Sequence, residues 1–293
     1  MPEFEETSNI TVAMLRAFVT LSKTLNLTAT SESLGVTRQT ARRHLSELEQ
    51  IVGHPLFALE RHEYALTEFG KESVAEAESI LVQMDTWAGR KGVNRRIILG
   101  LESAQFSDGA GRKFYSQQHP VIQISKNGLP IMQRALTAWG LSLAQIEDPA
   151  MADVRPFLVV YRRSVKGWIC VEIGERSAYA KWFGWAWSKS AIGRLSHEDN
   201  AGNEFNDFIA GTYARIYGAG GVRLDHLHAH LPRETMAEPV PISFQRLLLG
   251  CVFPDGTPGL AVLVLMTNKI AIDALPDGFS NCVPDDCVMD FEL

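Results

Sequence analysis

The sequence is poor in the features that mark secreted, membrane or polycationic proteins. Four cysteines among 293 residues are too few and too scattered for a disulfide framework, so we expect a reducing, cytoplasmic location. The longest apolar run, residues 260–266, is far too short to span a bilayer, and no membrane partner is expected. The formal net charge is −6, so any binding to nucleic acid must rely on a local basic surface.

Catalytic signatures are also missing. The chain shows no nucleophile elbow, no phosphate-binding loop and no paired-carboxylate motif, so we expect neither an enzyme nor a bound cofactor. What is present is an ordinary globular composition, with 46% hydrophobic and 21% charged residues. The length is sufficient for about two domains.

The spacing of apolar residues changes along the chain. It is helical up to about residue 89, and strand-like runs alternate with helices from residue 95 onward. We therefore predict an all-α winged helix-turn-helix with a linker helix, followed by an α+β domain with an antiparallel sheet. The predicted segments are a winged helix-turn-helix (1–66), a linker helix (67–91), a connecting segment (92–152), a second, α+β domain (153–276) and a tail (277–293).

Two short helices joined by a tight turn lie at the centre of the N-terminal segment. In the turn Leu34-Gly35-Val36-Thr37, the glycine stops one helix and Thr37 caps the next. Thr28 is predicted to cap the helix before the turn, and residues 54–66 are predicted to form a two-stranded wing. This arrangement is typical of DNA-binding modules whose second helix enters the major groove.

The second helix of this pair begins with residues suited to DNA. Three arginines fall early in it, and no acidic residue occurs before Glu47. Arginine suits guanine edges and phosphates, and glutamine suits adenine edges or phosphates. The residues predicted to contact double-stranded DNA are Thr28, Thr37, Arg38, Gln39, Thr40, Arg42, Arg43 and, in the wing, Arg61.

A longer helix is predicted from Thr67 onward. Its apolar residues alternate spacings of four and three, which is the pattern of a coiled-coil seam. Because the sequence shows nothing else for this seam to bury against, we expect a second copy to cover it, giving a homodimer or a homotetramer. The seam consists of Ser73, Ala77, Ile80, Met84 and Trp87.

Three short sequence motifs of this region occur at spacings typical of one family of regulators: Leu15-Arg-Ala-Phe18, residues 34–45, and Leu66-Thr67-x-Phe-Gly70. Together they resemble the LysR-type regulators. The resemblance implies that this unit binds DNA, that the following helix dimerises, and that a C-terminal domain senses an inducer. Two departures are Thr30-Ser31, where the family usually has two alanines, and Arg38-Gln39, where Gln-Pro is usual. Both are expected to affect specificity more than fold.

The C-terminal half departs from the usual effector domain of that family. Residues 96–100 and 114–122 resemble the first strand and helix of that domain, but no pair of βαβ halves follows. Instead, Ser177-x4-Trp182-Phe-Gly-Trp185 and Phe253-Pro-Asp-Gly256 resemble a PAS-type sensor over about residues 153–268. The resemblance implies a helical part, then three consecutive antiparallel strands, often with a ligand between sheet and helices. The standard effector fold remains the alternative.

Clustered aromatic residues in this half are candidates for a ligand pocket. Such residues either line a pocket or simply form core. We predict a mainly apolar pocket for an unidentified small organic effector, lined by Trp168, Phe183, Trp185 and Phe208.

Three histidines form a second cluster. The period of two places His226, His228 and His230 on one face of a strand, where imidazoles bind zinc, copper or haem iron or form a polar face. Because the apolar residues between them favour the inward side, we predict that the histidines point outward, beneath the N-terminal segment or a partner subunit. No metal is expected.

The sequence therefore predicts a sequence-specific, DNA-binding transcription regulator of LysR type that responds to a small molecule or a redox state. Two alternatives from other classes remain. One is a DNA-binding module fused to a metal-binding enzyme domain, and the other is a DNA-binding protein whose C-terminal domain only oligomerises. Cys282 and Cys287, in the predicted tail, are expected to be incidental.

Overall fold

The chain folds into two compact units, Met1–Ala88 and Gly89–Leu293. A computed structural model describes residues 9–60, 63–88, 93–164, 167–198, 201–233, 236, 238–276 and 282–290. The first unit is helical apart from one hairpin, and the second combines an antiparallel sheet with helices, which confirms the predicted fold class at this level. Over the described residues, no helix has the length and apolar character needed to cross a membrane.

The N-terminal unit contains four helices and one hairpin in its described part. The hairpin pairs its strands antiparallel, with Phe57 opposite Leu66. The elements are α1 (Val12–Thr24), α2 (Leu27–Leu34), α3 (Arg38–Val52), β1 (Phe57–Glu60), β2 (Glu63–Leu66) and α4 (Glu68–Ala88).

The boundaries of α2 and α3 follow from their caps. The hydroxyl of Thr37 accepts a hydrogen bond from the Thr40 amide, which confirms the predicted cap of α3. Gly35, at φ +64°, ends α2 in the left-handed conformation that glycine adopts at low cost. The prediction that Thr28 caps α2 is wrong. Asn26 fills that position, because its side-chain oxygen accepts from the amides of Thr28 and Ala29.

Helices α1 to α4 share one core. Phe18, Leu21, Leu48 and Leu56 are almost fully buried in it. The close approach of α4 to this core requires Gly70, because a Cβ at that position would lie 2.1 Å from the carbonyl oxygen of Leu56. The core thus holds α3 rigidly, with its polar face left on the surface.

The two unusual residues of α2 belong to this packing. Thr30 and Ser31 are buried, and each hydroxyl donates to a carbonyl of the preceding turn, that of Asn26 for Thr30 and that of Thr28 for Ser31. Their polar groups are therefore satisfied within the unit. This departure therefore contributes to the packing of the unit, and its effect on specificity stays a prediction.

The helix α4 divides its apolar residues between two surfaces. Ala77 is buried in the core of its own unit and Met84 packs against that core, so the seam is not without an intramolecular partner. Ile80 and Trp87 remain 46% and 72% exposed. The face available to a second copy is therefore narrower than the predicted seam and centres on these two residues.

The C-terminal unit is built on one antiparallel sheet, which has eight strands over the described residues and the order β3-β4-β5-β8-β9-β10-β6-β7. The strands are β3 (Asn94–Ile98), β4 (Leu101–Ser107), β5 (Lys113–His119), β6 (Leu158–Ser164), β7 (Gly167–Ile173), β8 (Val222–Leu231), β9 (Val240–Val252) and β10 (Pro258–Met266). The helices are α5 (Ile122–Asn127), α6 (Pro130–Leu141), α7 (Ala178–Phe183), α8 (Trp185–Ala191), α9 (Asn203–Ala210) and α10 (Tyr213–Ala219).

Within the predicted connecting segment, 92–152, the strands β3, β4 and β5 belong to this sheet. Strand β5 pairs with β8, so β3, β4 and β5 extend the sheet on that side. Residues 113–119 are a strand, not the helix of the standard effector domain. All strand pairs described in this sheet are antiparallel, which excludes the paired βαβ halves of the standard effector fold from the described residues.

The predicted tail also differs from expectation. Residues 282–290 include a short 3-10 helix, Asp285–Cys287, and Val283, Cys287 and Met289 are buried in the main core. Burial of these apolar side chains explains why this stretch packs against the main core.

We predict that Glu49 determines how firmly the wing is attached to α3. One of its carboxylate oxygens accepts from the amides of Leu56 and Phe57, at 2.8 and 3.2 Å. Glu49→Ala should cost about 1.5–3 kcal/mol locally, because hydrogen bonds to a charged acceptor are lost. Amide hydrogen exchange of the full chain should therefore speed up by about tenfold or more across residues 38–57. Gln50→Ala, at an exposed neighbour, is the control, and unchanged exchange in Glu49→Ala would contradict the prediction.

Candidate functional site

The exposed face of α3 is the first candidate site. Arg38, Gln39, Arg42 and Arg43 all lie on the surface, while the buried stripe of the helix packs into the core. This split follows from the sequence, since the apolar positions recur at three and four residues and leave the arginines on the opposite side. The result is a basic helix face, with the free backbone amides of the helix start beside it.

Contacts at the start of α3 gather the predicted residues. Arg38 donates from Nη1 to the hydroxyl of Thr28 at 3.4 Å, and the hydroxyls of Thr37 and Thr40 lie 2.9 Å apart. Thr28 is therefore adjacent to the exposed face although it is not a cap. Arg43 forms an exposed, 3.7 Å ion pair with Glu47, one turn along the helix.

The wing lies next in the chain. Its strands pair from Phe57–Leu66 to Glu60–Glu63. Arg61, predicted to contact DNA from the tip, lies outside the described residues. Glu49, which joins the wing to α3, was not among the predicted site residues. The signal that points to it is an acidic residue directly after the buried Leu48.

A cavity in the C-terminal unit is the second candidate site. It measures about 100 Å³, of the same order as the engineered cavity of about 150 Å³ that binds benzene. It lies between the sheet and the helices α7 and α9, and its walls are mostly apolar. The aromatic residues that line it include Phe157, Trp182, Phe183, Phe205, Tyr213 and Phe244.

Of the four predicted pocket residues, only Phe183 lines this cavity. Trp168 packs edge-on against Tyr213 and Tyr217, and Trp185 is 39% exposed on the surface. Phe208 lies in the core, near the rings of other phenylalanines. Trp168, Trp185 and Phe208 therefore lie outside this cavity, because strand and helix pairing brings together residues that are distant in the chain.

One wall of the cavity is charged. Arg246 on β9 lies directly opposite Asp225 on β8, and its Nη2 donates to that carboxylate at 2.7 Å. Arg223 donates to the other oxygen of Asp225, also at 2.7 Å. Burial alone would raise the pKa of Asp225, but Arg246 and Arg223 hold that pKa below its ordinary value. Asp225 is therefore a buried anion at neutral pH.

The ion pairs continue from Arg223 across the sheet. Its Nη1 donates to Glu102 at 3.0 Å, and Glu102 also binds Arg95 and Arg215. Burial would raise the pKa of Glu102, but the nearby arginines, Arg223 first among them, lower it overall. Sequence reasoning missed this network, because its members come from β3, β4, α10, β8 and β9.

The histidine stripe lies on the opposite face of the sheet, as its spacing predicts. The chain's own C-terminal segment covers it. Ala271 donates its amide to Nδ1 of His226 at 2.9 Å, and Nδ1 of His228 lies 3.0 Å from the hydroxyl of Ser243. His226 and His228 are buried and His230 is half-buried. Within the described residues, no three His, Cys, Asp or Glu side chains converge to hold a metal.

The apolar residues that alternate with the histidines face the helices. Leu227, Ala229 and Leu231 are buried in the main core, and Leu231 reaches the cavity wall. The predicted inward orientation of these residues is thus the observed one. Strand β8 therefore carries its core-facing and its histidine-bearing residues on opposite sides.

Comparison with known proteins yields matches at the N-terminal unit. Residues 12–71 match the family described as bacterial regulatory helix-turn-helix protein, lysR family. A transcriptional regulator of the LysR family from Eggerthella lenta is 31% identical over 21% of this chain and 89% of that one, with a TM-score of 0.21. No curated protein matches this chain.

Two structures of OxyR proteins are also similar to part of this chain. A mutant of OxyR from Corynebacterium glutamicum is 25% identical over 28% of this chain and 25% of that one, with a TM-score of 0.26. A full-length OxyR variant from Pseudomonas aeruginosa is 26% identical over 27% of this chain and 26% of that one, with a TM-score of 0.27. The chain thus matches about a quarter of the length of these OxyR structures.

We predict that the buried histidines make the C-terminal unit sensitive to acid. Burial, with His119 beside it, lowers the pKa of His226 to about 4, and burial next to His230 lowers that of His228 to about 4. Both stay neutral in the folded chain while the unfolded chain takes up protons below about pH 6.5. Stability should therefore be fully present above pH 6.5 and fall towards pH 4, by at most about 3 kcal/mol per histidine.

Urea unfolding of the full chain, followed by tryptophan fluorescence from pH 7 to 4.5, measures this loss. His226→Gln should flatten the pH dependence, because glutamine still accepts the Ala271 amide but does not titrate. The matched control is His44→Gln, in the N-terminal unit. Equal pH dependence in wild type and His226→Gln would contradict the prediction.

Proposed function

We propose that this chain, which belongs to the LysR family through the helix-turn-helix domain of residues 12–71, is a DNA-binding transcription regulator. The observation that carries the proposal is the exposed face of α3, where Arg38, Gln39, Arg42 and Arg43 stand together within that domain. A helix with this face, held rigidly by its neighbours, suits the major groove of double-stranded DNA.

The position of each residue along α3 indicates whether it contacts bases or phosphates. Arg38 and Gln39 lie in the first turn of α3, where side chains of a recognition helix reach base edges. Arg42 and Arg43 lie one turn further, where contacts to phosphates hold the helix in register. The net charge of −6 makes this local basic face the main attraction for DNA.

A homodimer is the proposed assembly. The side of α4 that carries Ile80 and Trp87 remains exposed and apolar, and a second α4 supplies the same surface. Two copies would present two α3 helices to two half-sites, separated by whole turns of DNA. Larger assemblies such as a homotetramer would add contacts elsewhere.

The C-terminal unit is the proposed sensor. Within residues 153–276 two strands, a helical part and three consecutive antiparallel strands follow one another, the order that the PAS resemblance implies. The apolar cavity between sheet and helices supports a small organic effector as the signal. The cytoplasm is the proposed location, since the regulator acts where DNA is.

We predict that two pairs of substitutions separate affinity from specificity. Arg42→Ala and Arg43→Ala should each weaken binding to all sequences and reduce the salt slope by about 0.9, as one phosphate contact is lost. Arg38→Ala and Gln39→Ala should instead relax preference at one base pair, by about 1–3 kcal/mol. The measurement is fluorescence anisotropy at several salt concentrations, on a duplex selected from a random pool.

Gln50→Ala, at the far end of α3, is the matched control and should bind as wild type does. Wild-type affinity and base preference in all four variants would show that α3 is not the recognition helix. Failure of the wild-type chain to select any duplex would overturn the regulator proposal itself.

A further prediction concerns the dimer. Ile80→Glu combined with Trp87→Glu should yield monomers, because four carboxylates would be buried across the two-fold axis. Both side chains are exposed in the single chain, so its fold should survive. Sedimentation velocity gives the mass, and Ala75→Glu, at another exposed position of α4, should remain dimeric. A double variant that still sediments as a dimer would place the interface elsewhere.

A further inference from the structure

The cavity of the C-terminal unit has one charged residue in its wall. Among the described residues that line it, Arg246 alone carries a charge. Its side chain is almost completely buried, with the whole residue 1% exposed. A buried cation at the edge of an apolar cavity is costly unless an anion or several acceptors face it.

Hydrogen bonds among the described residues use three of the five N–H donors of Arg246. Nη1 donates to the carbonyl of Ile209 at 2.9 Å, and Nη2 donates to Thr212 at 3.1 Å and to Asp225 at 2.7 Å. Nε has no hydrogen-bond partner among the described residues. Guanidinium groups form their strongest hydrogen bonds with carboxylates, so this donor favours an anionic acceptor.

The surrounding ion pairs leave positive charge in excess. Two carboxylates, those of Glu102 and Asp225, are shared by four arginines, namely Arg95, Arg215, Arg223 and Arg246. With Arg95 set aside, the described ion pairs of this group still join three arginines to two carboxylates, so positive charge is in excess. In an environment of low dielectric constant, such an excess attracts an anion over a distance of several ångströms.

We propose that the cavity binds a small organic monocarboxylic acid, with its apolar or aromatic body among the phenylalanines and its carboxylate towards Arg246. The inference rests on the proposed sensor role of this unit and names the chemical class of its effector. A mostly apolar wall with one cationic side chain suits the single negative charge of a monocarboxylate better than the double charge of a phosphate.

The walls opposite Arg246 fit the other end of such a molecule. Phe183, Phe205 and Phe244 line the cavity together with Trp182, whose indole nitrogen already donates to the carbonyl of Pro232. These surfaces offer apolar contact and ring stacking but little polar recognition. The site therefore distinguishes an acid from its neutral analogue through Arg246.

The test compares benzoate with benzamide, which has nearly the same shape but no charge. Titration of the full chain without DNA, by calorimetry and by tryptophan fluorescence, should show benzoate binding at least tenfold more tightly. Arg246→Gln should remove this preference, because glutamine keeps a donor for Asp225 but not the charge. Arg162→Gln is the matched control. It alters another sheet arginine paired with an aspartate, outside the cavity, and should keep the preference.

A second variant guards against misfolding of Arg246→Gln. Ala210→Leu fills the cavity without touching the ion pairs and should abolish binding of both compounds. Equal affinity for benzoate and benzamide, no saturable binding of benzoate, a preserved preference in Arg246→Gln or unaltered binding in Ala210→Leu would each overturn the proposal. If Arg246→Gln does not fold, the wild-type preference and Ala210→Leu decide.

The DNA measurements separate this inference from the proposed function. If the chain prefers benzoate over benzamide but selects no DNA duplex, the acid site is supported and the proposed regulator function is wrong. If the chain selects a DNA duplex but binds no benzoate, the proposed acid site is wrong and the regulator function is supported.

Discussion

The ion pair between Asp225 and Arg246 is the interaction on which the C-terminal unit depends most. The two residues face each other across the central strands β8 and β9 and are both almost fully buried. Removing Asp225 would leave the buried charge of Arg246 without its anion, at a cost of about 3–5 kcal/mol. Through Arg246 the pair also satisfies the carbonyl at the end of α9 and the hydroxyl before α10. Sheet and helices thus share one set of polar contacts, and the cavity lies beside it.

The sequence predicts the N-terminal unit well because its signals are local. The turn at Gly35, the cap at Thr37 and the buried stripe of α3 are each encoded within a few residues. The incorrect predictions in this unit also concern local features. The cap of α2 is Asn26 and not the predicted Thr28. Both residue types can cap a helix, and only the geometry distinguishes them. Exposure of Ile80 beside a buried Ala77 depends on how α4 packs, which spacing alone does not specify.

The C-terminal unit was less predictable because its contacts are not local. Period-two alternation in β8 correctly separates the histidines from the apolar residues, but it does not say what covers each face. The histidine face is covered by residues such as Ala271, more than forty positions later in the chain. The cavity likewise draws Phe157 and Met266 to the same place. A list of nearby tryptophans could not identify its lining, since only Trp182 among the neighbouring tryptophans reaches it.

The same network connects the cavity to the part of the chain that follows α4. From Arg246 the ion pairs pass through Asp225, Arg223 and Glu102 to Arg95 on β3. Arg95 lies only seven positions after the end of α4 at Ala88. An anion bound near Arg246 would compete with Asp225 for its positive charge and so alter how the remaining arginines share the two carboxylates. Because Arg95 on β3 takes part in this sharing, the proposed occupancy of the cavity would alter a side-chain contact of a strand that is otherwise held by its pairing with β4. That consequence requires differential binding to two states of β3, since a ligand shifts an equilibrium only by its difference in affinity.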